Sequence, residues 1–338
     1  MKISIQDVKI SGSLRVALIG CGRAAERIYL PVLKNINKIK VTAAADPVEE
    51  RRNFISRNFS DCVPYKSINE NLFNNVDAAI ITTPPDFHIS LSMEFLKRNK
   101  YILVEKPLGL SLDGTKELKE IESESKGFLM MGFNHRYWIP VSKLKKKLTL
   151  KEKFNFSEMI FTSDYSKWNP ISFTSEPLDD LGPHLFDLIT YIFEERIVSV
   201  IASQPGKNEI ILNVKIKEDQ IIRCRIAYCD ETIRTIRLKS ENKKFFISLK
   251  SVRILPYCGF MRNSLDIKDR LTTKFLGKEF PFNVSYRIQL EKFFDFVSSG
   301  KTPRPGIDEG ITAIQAIRSA QSSILNNGKE IFLDEFKF

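Results

Sequence analysis

The chain has 338 residues, 43% hydrophobic and 28% charged, enough for a sizeable core and for two domains of roughly 100–200 residues each. That composition excludes a disordered chain, and no apolar run approaches the roughly 18–20 residues needed to span a bilayer. Lys and Arg outnumber Asp and Glu by 52 to 41, a net charge of +11 that suits nucleic acid, an acidic membrane surface or an anionic small substrate. The one dense basic block, Lys143, Lys145, Lys146 and Lys147, reads as the solvated face of a helix. No aromatic-rich strand pair offers a stacking platform for nucleic acid. Residues 1–13 lack the apolar block of a signal peptide. The five cysteines (Cys21, Cys62, Cys224, Cys229 and Cys258) are odd in number and scattered, suggesting neither a disulfide framework nor a metal site. A reduced, cytoplasmic protein with no nucleic-acid or membrane partner is expected.

Along the chain, apolar runs at residues 14–19, 41–45, 77–82, 101–104 and 128–133 alternate with helix-like stretches ending at 34 and spanning 48–59, 86–97 and 112–123. Runs this apolar, each followed by a helix, need both faces covered, so a parallel, doubly wound sheet is expected over residues 1–136. From 137 the strand candidates alternate apolar with polar: 198–203, 210–216, 221–228, 233–238 and 245–249. This suits an open, mainly antiparallel sheet in an α+β domain over 137–338. Helices near 180–193, 284–297 and 308–325 and a last strand at 331–333 complete it. The fold class is α/β with a second, α+β domain.

Gly20-Cys21-Gly22-Arg23-Ala24-Ala25 lies between the first strand and its helix. The first glycine permits a tight turn, the second lets the backbone approach a pyrophosphate, and Ala25 is small enough for helix–strand packing. Free N–H groups at the helix start favour the diphosphate. Asp46 ends the next strand, where a carboxylate accepts the ribose hydroxyls of NAD and repels a 2′-phosphate. Arg51 and Arg52 lie close enough to soften that repulsion and leave NADP open.

The three histidines, His88, His135 and His184, all stand at element ends. Thr83-Pro84-Pro85, Glu105-Lys106-Pro107 and Asn134-His135-Arg136 fall at the carboxyl edge of the expected sheet, where open parallel sheets hold ligands. Lys106, between a buried strand and a proline, is conformationally restricted; partial burial would suit it to proton transfer or to polarising a carbonyl. In Asp180-Leu181-Gly182-Pro183-His184-Leu185-Phe186-Asp187, Pro183 is expected in the first helical turn with Asp180 as N-cap. Asp180 and His184 then share a side of the helix entry, and Asp187 could hold the other imidazole nitrogen. A carboxylate and an imidazole with a lysine provide what hydride transfer needs: a group to take the hydroxyl proton and others to orient it.

The ordered set Gly20–Ala25, Ala44-Ala45-Asp46-Pro47, Thr83-Pro84-Pro85-Asp86-Phe87-His88, Glu105-Lys106-Pro107, Gly132-Phe133-Asn134-His135-Arg136 and Asp180 to Asp187 resembles the glucose–fructose oxidoreductase/inositol dehydrogenase (Gfo/Idh/MocA) family over nearly the whole chain. The resemblance implies a Rossmann domain plus a mixed-sheet domain, a homodimer or homotetramer, and NAD or NADP as cofactor. It implies a sugar, cyclitol or nucleotide-sugar substrate oxidised at a secondary hydroxyl. By position it carries Lys106, Asp180 and His184 over as the catalytic set, with His184 the base, Lys106 orienting substrate and nicotinamide, and Asp180 binding substrate. Cofactor contacts are expected from Gly20, Cys21, Gly22, Arg23, Ala24, Asp46, Thr83, Pro84, Pro85, His88, Glu105 and Lys106. Substrate contacts are expected from Asn134, Arg136, Tyr137 and Trp168 with Asp180 and His184, and Tyr165, Asn169, Tyr286 and Arg304 are further candidates for the pocket wall. The net positive charge favours a nucleotide sugar, such as a UDP-N-acetylhexosamine oxidised at C3. Two other readings stand beside it: an NADPH-dependent keto-sugar reductase or cyclitol dehydrogenase, and a dinucleotide-binding sensor without turnover. The residues 175–179 replace a glycine run common in the family, and residues 1–13 have no counterpart in its pattern.

Overall fold

The computed structural model describes residues 13–148, 153–164, 176–248, 251–255 and 282–336. Two compact units emerge, Met1–Asn134 with Phe282–Ile311, and His135–Pro281 with Thr312–Phe338. The boundary thus falls at 134/135 rather than 136/137, and a returning segment assigned by sequence to the second domain joins the first.

In the first unit, β1 (Leu14–Ile19), β2 (Ile39–Ala45), β3 (Val63–Tyr65), β4 (Ala78–Ile81), β5 (Tyr101–Glu105) and β6 (Leu129–Gly132) form one sheet in the order β3-β2-β1-β4-β5-β6. Every pairing is parallel. All four residues of β4 and of β6 are buried, as strands covered on both faces must be. Between the strands lie α1 (Leu30–Leu33), α2 (Glu49–Ser56), α3 (Glu70–Asn74), α4 (His88–Leu96) and α5 (Thr115–Glu124). A π turn, Ala25–Tyr29, runs into α1. The short β3 and α3 were not expected: three half-exposed residues carry no apolar run, and α3 is fixed by its cap, Asn69 Oδ1 accepting from Leu72 N at 3.0 Å. The returning segment supplies α8 (Phe282–Ser299), whose Tyr286 and Phe293 pack edge-on against Tyr29 and Phe128, and Pro305 O accepts from Met131 N at 2.8 Å beside the edge strand β6.

The second unit holds β7 (Phe156–Asp164), β8 (Ile197–Gly206), β9 (Glu209–Ile216), β10 (Ile221–Cys229), β11 (Arg234–Lys239), β12 (Lys244–Ser248), β13 (Ser251–Leu255) and β14 (Ile331–Phe332). Their order is β13-β12-β11-β7-β10-β9-β8-β14, antiparallel except for β7 against β10, so the sheet is mixed. One face packs on α6 (Ile139–Lys147) and α7 (Pro177–Phe193) through Val141, Leu144, Leu185, Phe186, Ile189, Met159, Phe161 and Ile226. The alternation leaves Ile201, Ile211 and Ile221 exposed in the strands. Most of α9 (Ile307–Leu325) belongs to this unit. In the basic block, Lys146 and Lys147 are exposed on α6 while Lys145 pairs with Glu194 at 2.7 Å.

One expected boundary is corrected. Helix α7 starts at Pro177, which takes the first-turn place, and Pro183 lies inside the helix. Pro183 therefore removes an internal N–H donor toward the Asp179 carbonyl instead of marking the start, and Asp180 is a helical residue rather than an N-cap. No helix among the described residues is long and apolar enough to cross a membrane.

Candidate active site

The strand order puts β1 between β2 and β4, and their carboxyl ends diverge where open parallel sheets bind ligands. Gly20, after β1, has φ +85°, and a Cβ there would come within 2.8 Å of Thr83 N, so only glycine fits. Its N–H donates to Ala45 O (2.8 Å), and Thr82 Oγ1 donates to Gly20 O (2.5 Å). Gly22 differs: a Cβ there would meet nothing within 4 Å. No described protein atom demands glycine at 22, and the space a Cβ would fill is the space a close-lying diphosphate needs. Asp46, 6% exposed, accepts from Cys21 N and Val48 N, both at 2.8 Å, one bond to each carboxylate oxygen. The carboxylate thus braces the glycine turn, and each oxygen retains a lone pair for a ribose hydroxyl.

Thr83 Oγ1 is buried with no hydrogen-bond partner among the described residues, an orphan that a ligand can satisfy. The first-turn N–H groups after Gly22 have no intrahelical acceptor, and Ala25 is fully buried under the turn. These features fit a dinucleotide. Burial, with Asp46 adding, pushes the Cys21 thiol up to about 12, so it packs as a neutral group. Arg23 and Ala24 are half-buried, and Arg52 Nη1 donates to Asp46 O (3.2 Å) and Pro47 O (3.1 Å) while Arg51 is exposed.

At the ends of β4 and β5, the fully buried His88 ring bridges two segments, with Nδ1 2.7 Å from Pro107 O and Nε2 2.8 Å from Thr83 O. Burial lowers its pKa against the pull of both carbonyls. Any role of His88 toward the cofactor therefore passes through Thr83 and the Lys106-Pro107 segment it ties together. Pro84 is exposed and Pro85 buried. Glu105 accepts from Tyr29 Oη at 2.6 Å and from Lys106 N at 3.1 Å. Burial raises the Glu105 pKa, opposed by the Tyr29 bond and the Lys106 charge. Lys106 itself is half-buried.

In the second unit, Asp180, His184 and Asp187 follow one another on one face of α7, at spacings of four and three. Asp187 accepts from Arg136 Nε at 3.0 and 2.9 Å and from Arg136 Nη2 at 2.7 Å, with side chains 0% and 7% exposed. Arg136, expected on substrate, thus has its guanidinium fork on Asp187, and Asp187, expected on an imidazole, is its counter-ion. His135 lies ring to ring with His184, centroids 4.0 Å apart at 45°, and stacks on Phe161 at 5.9 Å and 28°. The Arg234 guanidinium lies 5.2 Å from the same Phe161 ring and donates to the carbonyls of Thr162 and Ile233. Burial lowers the Arg234 pKa to about 10, with Asp180 opposing, so it is a cation at neutral pH beside that carboxylate. Burial raises the Asp179 pKa, aided by Glu176 and Asp180.

Asn134 is buried, its Nδ2 donating to Ser285 Oγ at 3.1 Å, and Tyr137 is half-buried. Tyr286 packs on Tyr29 at 5.6 Å and Arg304 is exposed. Tyr165, Trp168 and Asn169 lie outside the described residues. Sequence reasoning overlooked Arg234, Phe161 and Tyr29. Arg234 carried a signal, since in β11 it holds the same inward parity as Ile236 and Leu238, and a cation at a core-facing position needs a partner.

A parallel sheet of this order, with a glycine turn braced by an aspartate at the end of the second strand, is the arrangement of a Rossmann dinucleotide-binding domain. Residues 14–133 match the Gfo/Idh/MocA family model, described as an oxidoreductase family with an NAD-binding Rossmann fold. The chain is similar to the glucose-6-phosphate 3-dehydrogenase of Bacillus subtilis (strain 168), 24% identical over 258 residues, covering 73% of this chain and 70% of that protein. It is also similar to the scyllo-inositol 2-dehydrogenase (NAD(+)) of the same organism, 23% identical over 352 residues, covering 95% and 96%. In fold it resembles the WlbA dehydrogenase from Bordetella pertussis, solved in complex with NADH and UDP-GlcNAcA, with a TM-score of 0.79, 12% identity and coverage of 95% and 98%.

Proposed function

We propose that the protein is a dehydrogenase that oxidises a secondary hydroxyl of a sugar or cyclitol to a ketone, with Lys106, Asp180 and His184 as its catalytic set. The observation that carries this reading is His184, a buried imidazole one turn from the Asp180 carboxylate, in a chain whose first unit bears a braced dinucleotide turn. His184 accepts the hydroxyl proton, Asp180 accepts a hydrogen bond from the substrate, and the Lys106 ammonium polarises the oxygen that becomes the carbonyl. Gly20, Gly22, Asp46 and Thr83 hold the cofactor, which supplies the hydride acceptor when bound. Similarity to a glucose-6-phosphate and an inositol dehydrogenase supports a polyol ring as substrate. The net charge of +11 supports an anionic one, a sugar phosphate or a nucleotide sugar such as a UDP-N-acetylhexosamine oxidised at C3.

The test is a screen of glucose 6-phosphate, cyclitols and UDP-sugars for NADH formation, followed by His184→Ala and Lys106→Ala on the best substrate. Each variant is expected to lower kcat by roughly 10²-fold or more while NAD binding, followed by fluorescence, stays near wild type. Wild-type turnover in either variant removes that residue from the mechanism. Tighter binding of NADPH than of NADH would turn the reading toward keto-sugar reduction, with Arg51 and Arg52 beside the cofactor.

A further inference from the structure

Two arginines are buried among the described residues, Arg136 and Arg234, and both belong to the second unit. Arg136 turns the Nε and Nη2 edge of its guanidinium onto the Asp187 carboxylate. In Arg234, 5% exposed, the same edge has no such partner. Its Nε is buried without an acceptor, and neither a hydrogen bond from Nη2 nor an ion pair is found among the described residues. Asp180 acts on it only as a nearby charge. Nη1 alone is engaged, donating to Thr162 O and, at 2.9 Å, to Ile233 O. Those carbonyls already have donors: Ile233 O accepts from Thr162 N at 2.9 Å and Thr162 O from Ile233 N at 3.3 Å. The cation on the core side of β11 therefore rescues no unpaired backbone group, and the Phe161 ring and the Asp180 charge offset only part of the cost of burying it. Phe161, level with Arg234 on β7 and 5.2 Å from its guanidinium, also stacks on His135, which touches His184.

We propose that Arg234 anchors an oxyanion of the substrate, a carboxylate or a phosphate carried by the sugar, through its Nε and Nη2 edge, and so selects acidic over neutral sugars. This deepens the reading of the His184 cluster as the sugar site and rests on it. A guanidinium presents two parallel N–H donors at the spacing of two oxygens of one carboxylate or phosphate, the use Arg136 makes of Asp187. Nη1 on the two carbonyls and the Phe161 ring hold the fork in place before a ligand arrives, so little side-chain entropy is lost on binding. A neutral hydroxyl would leave the buried charge uncompensated, whereas an oxyanion neutralises it. The other charges of the cluster, Asp180 and the Arg136–Asp187 pair, remain when only Arg234 is changed, which isolates its effect.

Calorimetry on the full chain with NADH compares acid and neutral pairs: glucose 6-phosphate with glucose, glucuronate with glucose, and UDP-N-acetylglucosamine with N-acetylglucosamine. The pair that shows a preference tells whether a phosphomonoester, a carboxylate or a diphosphate supplies the oxyanion. At least one acid is expected to bind the wild type about 10- to 100-fold more tightly than its neutral partner. Arg234→Met should weaken that acid to the level of the neutral sugar and leave the neutral sugar unchanged. Arg234→Lys, which keeps the charge and loses the fork, should fall between. No acid preference in the wild type, or one that Arg234→Met retains for every acid, overturns the proposal. If Arg234→Met does not fold, Arg234→Gln serves the same comparison. Failure of the base reading looks different: His184→Ala would keep wild-type turnover, while the acid preference and its loss in Arg234→Met are read from binding alone.

Discussion

Removing the Asp187 carboxylate strands a guanidinium inside the second unit. In the Asp187→Ala variant Arg136, with its side chain 7% exposed, would lose all three N–O contacts to Asp187. Breaking one side of a buried ion pair costs about 3–5 kcal/mol, chiefly as uncompensated charge. The Tyr191 ring, 4.9 Å from the Arg136 guanidinium, still offers a cation–π contact worth about 0.5–2 kcal/mol, which places the expected loss at the lower end, about 3 kcal/mol. Against a typical total of about 5–15 kcal/mol this is a large fraction. Urea denaturation followed by tryptophan fluorescence measures it directly, because Trp138, 5% exposed, sits two residues beyond Arg136. The double variant Arg136→Met with Asp187→Leu removes both charges and should recover most of the loss. A single variant within 1 kcal/mol of wild type, or a double variant no better than the single, would refute the argument.

The two glycines of the turn separate fold from ligand. Gly20→Ala forces a side chain onto a φ of +85° and into Thr83 N, and should cost about 3 kcal/mol or more in denaturation. Gly22→Ala enters open space, so stability should change by under ~1 kcal/mol while the NAD dissociation constant rises by about tenfold or more. An unaltered dissociation constant would remove the diphosphate from Gly22. The buried Glu105 gives a pH signature: its raised pKa means the folded state binds a proton more readily than the unfolded one. Stability relative to Glu105→Gln should therefore fall as pH rises from the ordinary glutamate value of about 4.3 through the raised one. A difference that is flat across that window, measured by denaturation at several pH values, would count against it.

Much of the first unit was written locally. Strand β1 spans 14–19 as its apolar run implies, and β2, β4, β5 and β6 match theirs within two residues, because strands buried on both faces must be apolar throughout. The glycine turn and Asp46 were legible for the same reason, since a backbone conformation and a carboxylate at a strand end are properties of short segments. What sequence spacing could not supply were partners far apart in the chain. Asp187 was expected to hold an imidazole nitrogen of His184, and packing brings it the guanidinium of Arg136, 51 residues away. Pro183 looked like a helix start until Pro177 took that place, and tertiary contacts of Leu185, Phe186 and Ile189 keep the helix running past the lost N–H. The return of Phe282–Ile311 to the first unit and the meeting of His135 with His184 are likewise decided by burial of surfaces that no local pattern specifies. Periodicity reports how a segment is covered, whereas the identity of what covers it is settled only when distant segments compete for the same apolar and charged partners.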